Sequence, residues 1–125
     1  MTNKWRMTNT AIVHLEEIVE RTAFRWGYEQ AFKYHNLLRI GFQEIADRYK
    51  SFKNPHRAQL AEGTDFEIHL VEHHYVVFKI CNDQSIIIAG IFHEKMDIPI
   101  HLRSLQRMDK REISNIEDEI FHKGS

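Results

Sequence analysis

Through the first fifty positions the apolar residues recur at helical spacing. Ile12, Leu15, Ile18, Val19, Thr22 and Trp26 form one stripe, with Glu16, Glu17 and Glu20 mostly off it, the pattern of an amphipathic helix. Thr8 or Thr10 offers the N-cap, and Gly27 suits the residue just past the end. A second stripe resumes at once through Ala31, Tyr34, Leu38, Phe42, Ile45 and Tyr49, and Asn54-Pro55 closes it off. Two helices joined this tightly fold back as an antiparallel hairpin. The aromatics Trp26, Tyr34, Phe42 and Tyr49, all at helical spacing, are expected in its core. Ahead of the hairpin, residues 3–7 (NKWRM) read as a short first strand.

The period then changes. Phe66, Ile68 and Leu70 alternate with Glu67 and His69, as a half-buried strand should. HYVVFKI (74–80) and SIIIAGIF (85–92) are β-branched runs with a turn signal, Asn82-Asp83, between them. Only Val71–His73 separates the first two strands, so the three form an antiparallel meander whose apolar face the helical hairpin covers. The predicted fold is α+β in the order β-α-α-β-β-β. In the tail, Asp109 to Glu112 fits a capping box. Ile113, Ile116, Ile120 and Phe121 continue as a one-sided helical stripe, with Gly124 near its end. The division expected is a domain over 1–103 and a C-terminal helical extension over 104–125.

Composition narrows the class without naming it. Of 125 residues, 42% are hydrophobic and 28% charged, the balance of one soluble globular domain. No apolar run nears the roughly 18–20 residues that span a bilayer, and the start MTNKWRMTN lacks the apolar core of a signal peptide. The single Cys81 excludes an internal disulfide. A cytoplasmic protein is expected. Residues 1–60 carry ten Lys/Arg against six Asp/Glu, and residues 61–125 seven against twelve. An excess of four positive charges over sixty residues is weak support for nucleic acid, and no direct nucleic-acid binding is expected.

The stretch HEKMDIPIHL (93–102) sets His93, Asp97 and His101 at four-residue intervals. As a metal site it would need all three to converge. An extended backbone separates His93 from Asp97 by roughly 13 Å at about 3.3 Å per residue, and Pro99 argues against one helix presenting them together. No metal and no cofactor is expected, and Asp97 reads as the cap of the turn after the strand. There is no Gly-rich phosphate loop, no G-x-S-x-G and no H-E-x-x-H. Cys81, at a strand end, reads as a buried small hydrophobe rather than a thiol nucleophile beside His74 or His93. His73-His74 reads as a strand-edge pair.

Four local signatures in this order resemble the ParE/RelE superfamily of bacterial toxins, with the ParE, or plasmid-stabilisation, branch the nearer. Ala11, Leu15, Ile18, Trp26, Gly27, Gln30, Ala31 and Tyr34 carry the helical part; LAEG, ending in Gly63, precedes the second strand. His74, Val76, Phe78 and Lys79 match one strand, and Ile91, His93, Met96, Asp97, His101 and Leu102 the last strand and its exit. The resemblance covers roughly residues 8–102. It implies a toxin of a type II toxin–antitoxin pair, neutralised by a cognate antitoxin whose disordered segment folds on it. The RelE branch cuts messenger RNA on the ribosome with arginines on the sheet face; at two customary arginine positions this chain has Asp65 and Gly90. ParE-type toxins inhibit DNA gyrase by binding, which implies no catalytic residue. On that reading the target surface comprises Lys79, His93, Lys95 and Arg103. The alternatives are a ribosome-dependent endonuclease and a non-toxic, antitoxin-binding relative. The tail helix over 110–121 is expected to pack across a sheet or helix groove that the antitoxin would use, to stabilise its own domain, or to form a homodimer contact.

Overall fold

The computed structural model describes residues 4–52 and 54–123, with side chains through residue 119. Asn3 and Gly124, and the side chains of Ile120 and Phe121, lie outside the described residues. The elements are β1 (Trp5–Met7), α1 (Asn9–Trp26), α2 (Tyr28–Arg48), α3 (Pro55–Leu60), β2 (Glu67–Val71), β3 (His74–Ile80), β4 (Ile86–His93), α4 (Ile98–Met108) and α5 (Lys110–Lys123). The sheet order is β1-β4-β3-β2. The meander β2–β3–β4 is antiparallel as its turn signals require, while β1 adds to β4 in parallel, with Trp5 opposite Ile86. The fold is therefore α+β with a mixed sheet.

Thr8 sets where strand becomes helix. Its hydroxyl accepts the Ala11 N–H at 3.1 Å, the N-cap geometry, and donates to the Ala89 carbonyl at 3.3 Å. Its own N–H reaches Ile88 O at 3.0 Å, so this fully buried residue ties β1, α1 and β4 together. Gly27, at φ +92°, ends α1 and starts α2, a backbone state costly for any residue with a Cβ. The hairpin lies on one sheet face, over a core of Ile18, Leu38, Phe42 and Ile45 against Val76, Phe78, Ile86 and Ile88.

The other face is covered too. Ile98, Leu102 and Leu105 of α4 and Ile113 of α5 pack on Ile68, Val77, Ile87, Ala89 and Phe92. This explains why β4 does not alternate. Ile86 to Ala89 are all fully buried, as a strand sandwiched between two helical layers demands. The cover is also pinned at its polar edges: Lys79 to Glu117 at 2.8 Å, Arg6 to Glu119 at 3.6 Å and the Asp65 N–H to Gln106 Oε1 at 2.6 Å.

Five local expectations need correcting. Trp26 and Ile12 are exposed rather than core, because the stripe that meets the sheet runs through Ala11 and Ile18. Asn54-Pro55 opens an element as well as following one: Asn54 Oδ1 accepts the His56 and Arg57 N–H groups and starts α3. Asp97 caps a helix rather than a bare turn, since Ile98 begins α4 with Pro99 in its first turn, where a missing N–H costs nothing. Two helices, not one, follow the last strand. Finally, no capping box forms at Asp109: its N–H goes to Leu105 O, and Glu112 instead accepts the Asn9 N–H at the start of α1, at 2.6 Å. A carboxylate at that end of α1 also meets the positive pole of the helix dipole.

Candidate interaction sites

Where β3 begins and β4 ends, His74 and His93 face each other across the ladder, their rings edge-to-face at 5.2 Å. Tyr34 of α2 reaches this corner. Its hydroxyl bonds His74 Nδ1 at 2.6 Å and accepts the His73 N–H at 3.3 Å. The Tyr34 O–H then donates to His74 Nδ1, which can accept only on a neutral ring. Burial depresses its pKa to about 4, helped by His93, His73 and Arg21 and opposed by Glu94. His93 Nδ1 accepts the Lys95 N–H at 3.2 Å, and His73 meets Glu94 at 3.4 Å. One nitrogen of each of His74 and His93 is thus committed to a local bond, which makes the corner a pin between α2 and the sheet.

A second histidine repairs the sheet itself. Phe78 pairs with Ile88 but Val77 with Gly90, so Ala89 is a bulge. Its carbonyl is taken by Thr8, and the Ile91 N–H donates to His14 Nδ1 at 3.1 Å. Burial holds the His14 pKa below its usual value, in keeping with a neutral acceptor. Across Phe92 from His14, His101 stacks on the same ring at 4.9 Å. His93, Asp97 and His101 therefore have separate local duties, and among the described residues no group of three His, Cys, Asp or Glu is placed to hold a metal. Cys81 is buried just past the far end of β3, roughly 23 Å along the strand from His74 at about 3.3 Å per residue. Burial pushes its thiol pKa up, away from a nucleophile.

Beyond Arg21 on α1 and Tyr34 on α2 the hairpin leaves the sheet: no residue from 22 to 33 belongs to either core cluster. This free end carries Phe24 (96% exposed), Tyr28 (87%), Trp26 (68%) and Phe32 (67%). Shallow pockets lie between these rings, one of them lined by Phe24, Tyr28, Arg21 and Arg25. Sequence reasoning missed this patch by assigning Trp26 to the core. The legible signal was that Phe24, Tyr28 and Phe32 fall off both apolar stripes.

On the α4–α5 face, between the loop before β2, Lys79 of β3 and the two helices, lies a cleft of about 510 Å³ lined by Lys79, Arg103, Arg107 and Lys110 together with Asp65 and Glu117. The four residues expected at a target surface are split by the sheet. Lys79 and Arg103 lie in this cleft, and His93 and Lys95 at the histidine corner. At Gly90, one of the two customary arginine positions, a Cβ would stand 2.9 Å from Leu105 Cδ1. The helical cover occupies the space a side chain there would need.

A two-helix hairpin on a β1-β4-β3-β2 sheet, with aromatic and cationic surfaces, defines a small α+β domain of the ParE/RelE-like fold. Residues 6–98 match the family described as the ParE toxin of type II toxin–antitoxin system, parDE, and the chain belongs to that family. Among solved structures, a chain of the "Chromosomal ParDE TA system from P. aeruginosa" matches with a TM-score of 0.62 at 16% identity. The match covers 74% of this chain and 96% of that one; at that identity it is a likeness of fold. No curated protein matches the sequence. The family match ends at the first residue of α4, so the α4–α5 cover lies almost wholly beyond it.

Proposed function

We propose that this chain is a cytoplasmic toxin that acts by binding DNA gyrase and is neutralised by a cognate antitoxin, without catalysing a reaction. The observation that carries the reading is the exposed aromatic end of the hairpin. Four large rings held on rigid helices, clear of both core clusters, are the composition of a protein-contact surface. His93 and Lys95, at the corner that Tyr34 ties to the same hairpin, extend that surface. Family membership supports the antitoxin as partner. The endonuclease alternative has less support. Asp65 and Gly90 supply no cation at the two customary arginine positions, and α4 lies over the sheet face beside Gly90. Among the described residues no helix is long and apolar enough to cross a membrane.

The test is tightly induced expression in a bacterial host, with growth and plasmid supercoiling read from one culture. Growth arrest with relaxed plasmid is expected, relieved by Phe24→Ser with Tyr28→Ser, both exposed and outside the core. Arrest with messenger cleavage and unchanged supercoiling would replace this reading with the endonuclease. Unimpaired growth at confirmed soluble expression would leave the non-toxic, antitoxin-binding relative.

A further inference from the structure

The cleft under α4–α5 has the makeup of a small-ligand site, and the target-binding reading does not use it. Four cations approach it from three elements: Lys79 from β3, Arg103 and Arg107 one turn apart on α4, and Lys110 at the start of α5. Only Lys79 has an ion pair among the described residues, with Glu117 at 2.8 Å. Lys110 opens a helix of 14 residues, so the positive end of the α5 dipole adds to the same field. Phe66 and Ile113, each 5% exposed, give the cleft its apolar wall. Ser114 and the Gln106 amide NH2 add hydrogen-bonding groups, while Gln106 Oε1 is held by the Asp65 N–H and Thr64 Oγ1 by Ala61 O and the Phe66 N–H.

Size and charge together select the ligand. A volume of about 510 Å³ lies in the range of roughly 300–1,000 Å³ typical of small-molecule pockets. Asp65 and Glu117 offset two of the four cations, leaving an excess of two positive charges. That matches one phosphate group, which carries a charge of about −1.5 to −2 at neutral pH. A continuing nucleic-acid strand would bring further phosphates against the same two carboxylates. An apolar ring system on Phe66 and Ile113 with a phosphate on Arg107 and Lys110 is the shape of a nucleotide. We propose that the cleft between the loop before β2, Lys79 of β3 and α4–α5 binds a free mononucleotide, its phosphate held by Arg103, Arg107 and Lys110 and its base against Phe66 and Ile113.

The test uses the full chain, titrated with AMP while amide shifts are followed by NMR and affinity by calorimetry. Adenosine, inorganic phosphate and a short single-stranded RNA serve as comparison ligands. AMP should bind and shift the amides of Thr64, Gln106, Lys110 and Ser114; adenosine and phosphate should each bind more weakly. Arg107→Ala with Lys110→Ala, two exposed positions whose loss leaves the core intact, should weaken AMP by at least about tenfold. Circular dichroism unchanged by the double substitution separates this effect from unfolding. Four results would each overturn the proposal: no AMP binding at millimolar concentration, affinity untouched by the double substitution, adenosine or phosphate binding as tightly as AMP, or RNA binding where AMP does not.

Discussion

Gly90 and Leu105 offer a test of whether α4 is built into the sheet. A Cβ at position 90 would meet Leu105 Cδ1 and Phe92 Cε2, each at 2.9 Å. Gly90 has no positive φ, so alanine there is not strained by the backbone. Overpacking of this kind costs about 1–3 kcal/mol, and replacing glycine within a strand returns roughly 0.5–1 kcal/mol. Gly90→Ala should therefore destabilise by about 0–2.5 kcal/mol. Leu105 is 6% exposed, and Leu105→Ala in such a setting costs about 2–4 kcal/mol through lost burial and the cavity left behind. In the double variant the new methyl enters the space Leu105 vacates. The two penalties then partly cancel, with a coupling of about 1–2 kcal/mol, within the usual range for residues in contact. The assay is urea unfolding followed by circular dichroism on the wild type, both single variants and the double. Arg111→Ala, exposed on α5, serves as the control partner for Gly90→Ala and should show no coupling. Additivity of Gly90→Ala and Leu105→Ala within about 0.3–0.5 kcal/mol would mean that the two residues do not touch, and the docking of α4 on the sheet would be wrong.

Three further outcomes follow from the polar contacts. Tyr34→Phe removes the hydroxyl from both His74 and the His73 N–H and should cost about 1–3 kcal/mol in thermal or urea unfolding; an unchanged midpoint would show that the corner is solvent-satisfied. The folded-state His74 pKa, depressed to about 4, lies below the unfolded value of 6.5, so the unfolded chain binds the extra proton between those values. Stability contributed by neutral His74 is present above pH 6.5, falls as pH drops from 6.5 towards 4, and changes no further below that; NMR titration of the ring protons checks it, and a midpoint near 6.5 would refute it. Glu112→Ala deletes the acceptor for the Asn9 N–H and should cost about 0.5–2 kcal/mol, the usual range for a lost helix cap, whereas Arg111→Ala should have little effect on the melting temperature.

The architecture was readable wherever a single local rule decided it. Gly27 could only break a helix, and Asn82-Asp83 could only turn between two β-branched runs; both stand in the structure as expected. What was not readable depended on contacts distant in sequence. The capping-box spacing at Asp109 and Glu112 was correct, but Glu112 is drawn to an N–H 103 residues away, a partner no local pattern contains. β1 was recognisable as a strand, yet its parallel pairing with β4 reflects chain topology. Asn54-Pro55 shows a signal with two meanings, since the same pair that stops one helix can cap the next. For the candidate site, residue type was informative and placement was not. Lys79 and His93 lie on neighbouring strands, but Lys79 turns to Glu117 of α5 while His93 faces His74 on the hairpin side.

One misjudged pattern links the fold to the chemistry. Local pattern assigns the run Ile86-Ile87-Ile88-Ala89 to a strand under the hairpin and leaves packing of the tail on the sheet as one option among several, though an unbroken apolar run is what a strand buried on both faces requires. Read that way, the run calls for a second helical layer, and only the tail can supply it. That layer bears directly on the two positions where the resemblance expects arginine. At 90, an added Cβ would stand 2.9 Å from Leu105 Cδ1 of α4 and as close to Phe92 Cε2, so a side chain there would have to displace both. At 65, the backbone N–H is held by Gln106 of the same helix, and the residue lines a cleft whose cations come mostly from α4 and α5. Glycine at 90 thus suits the close packing of Leu105 and Phe92 there. The positive charge absent at 65, just before β2, and at 90 on β4 is present instead on the helices laid over the sheet.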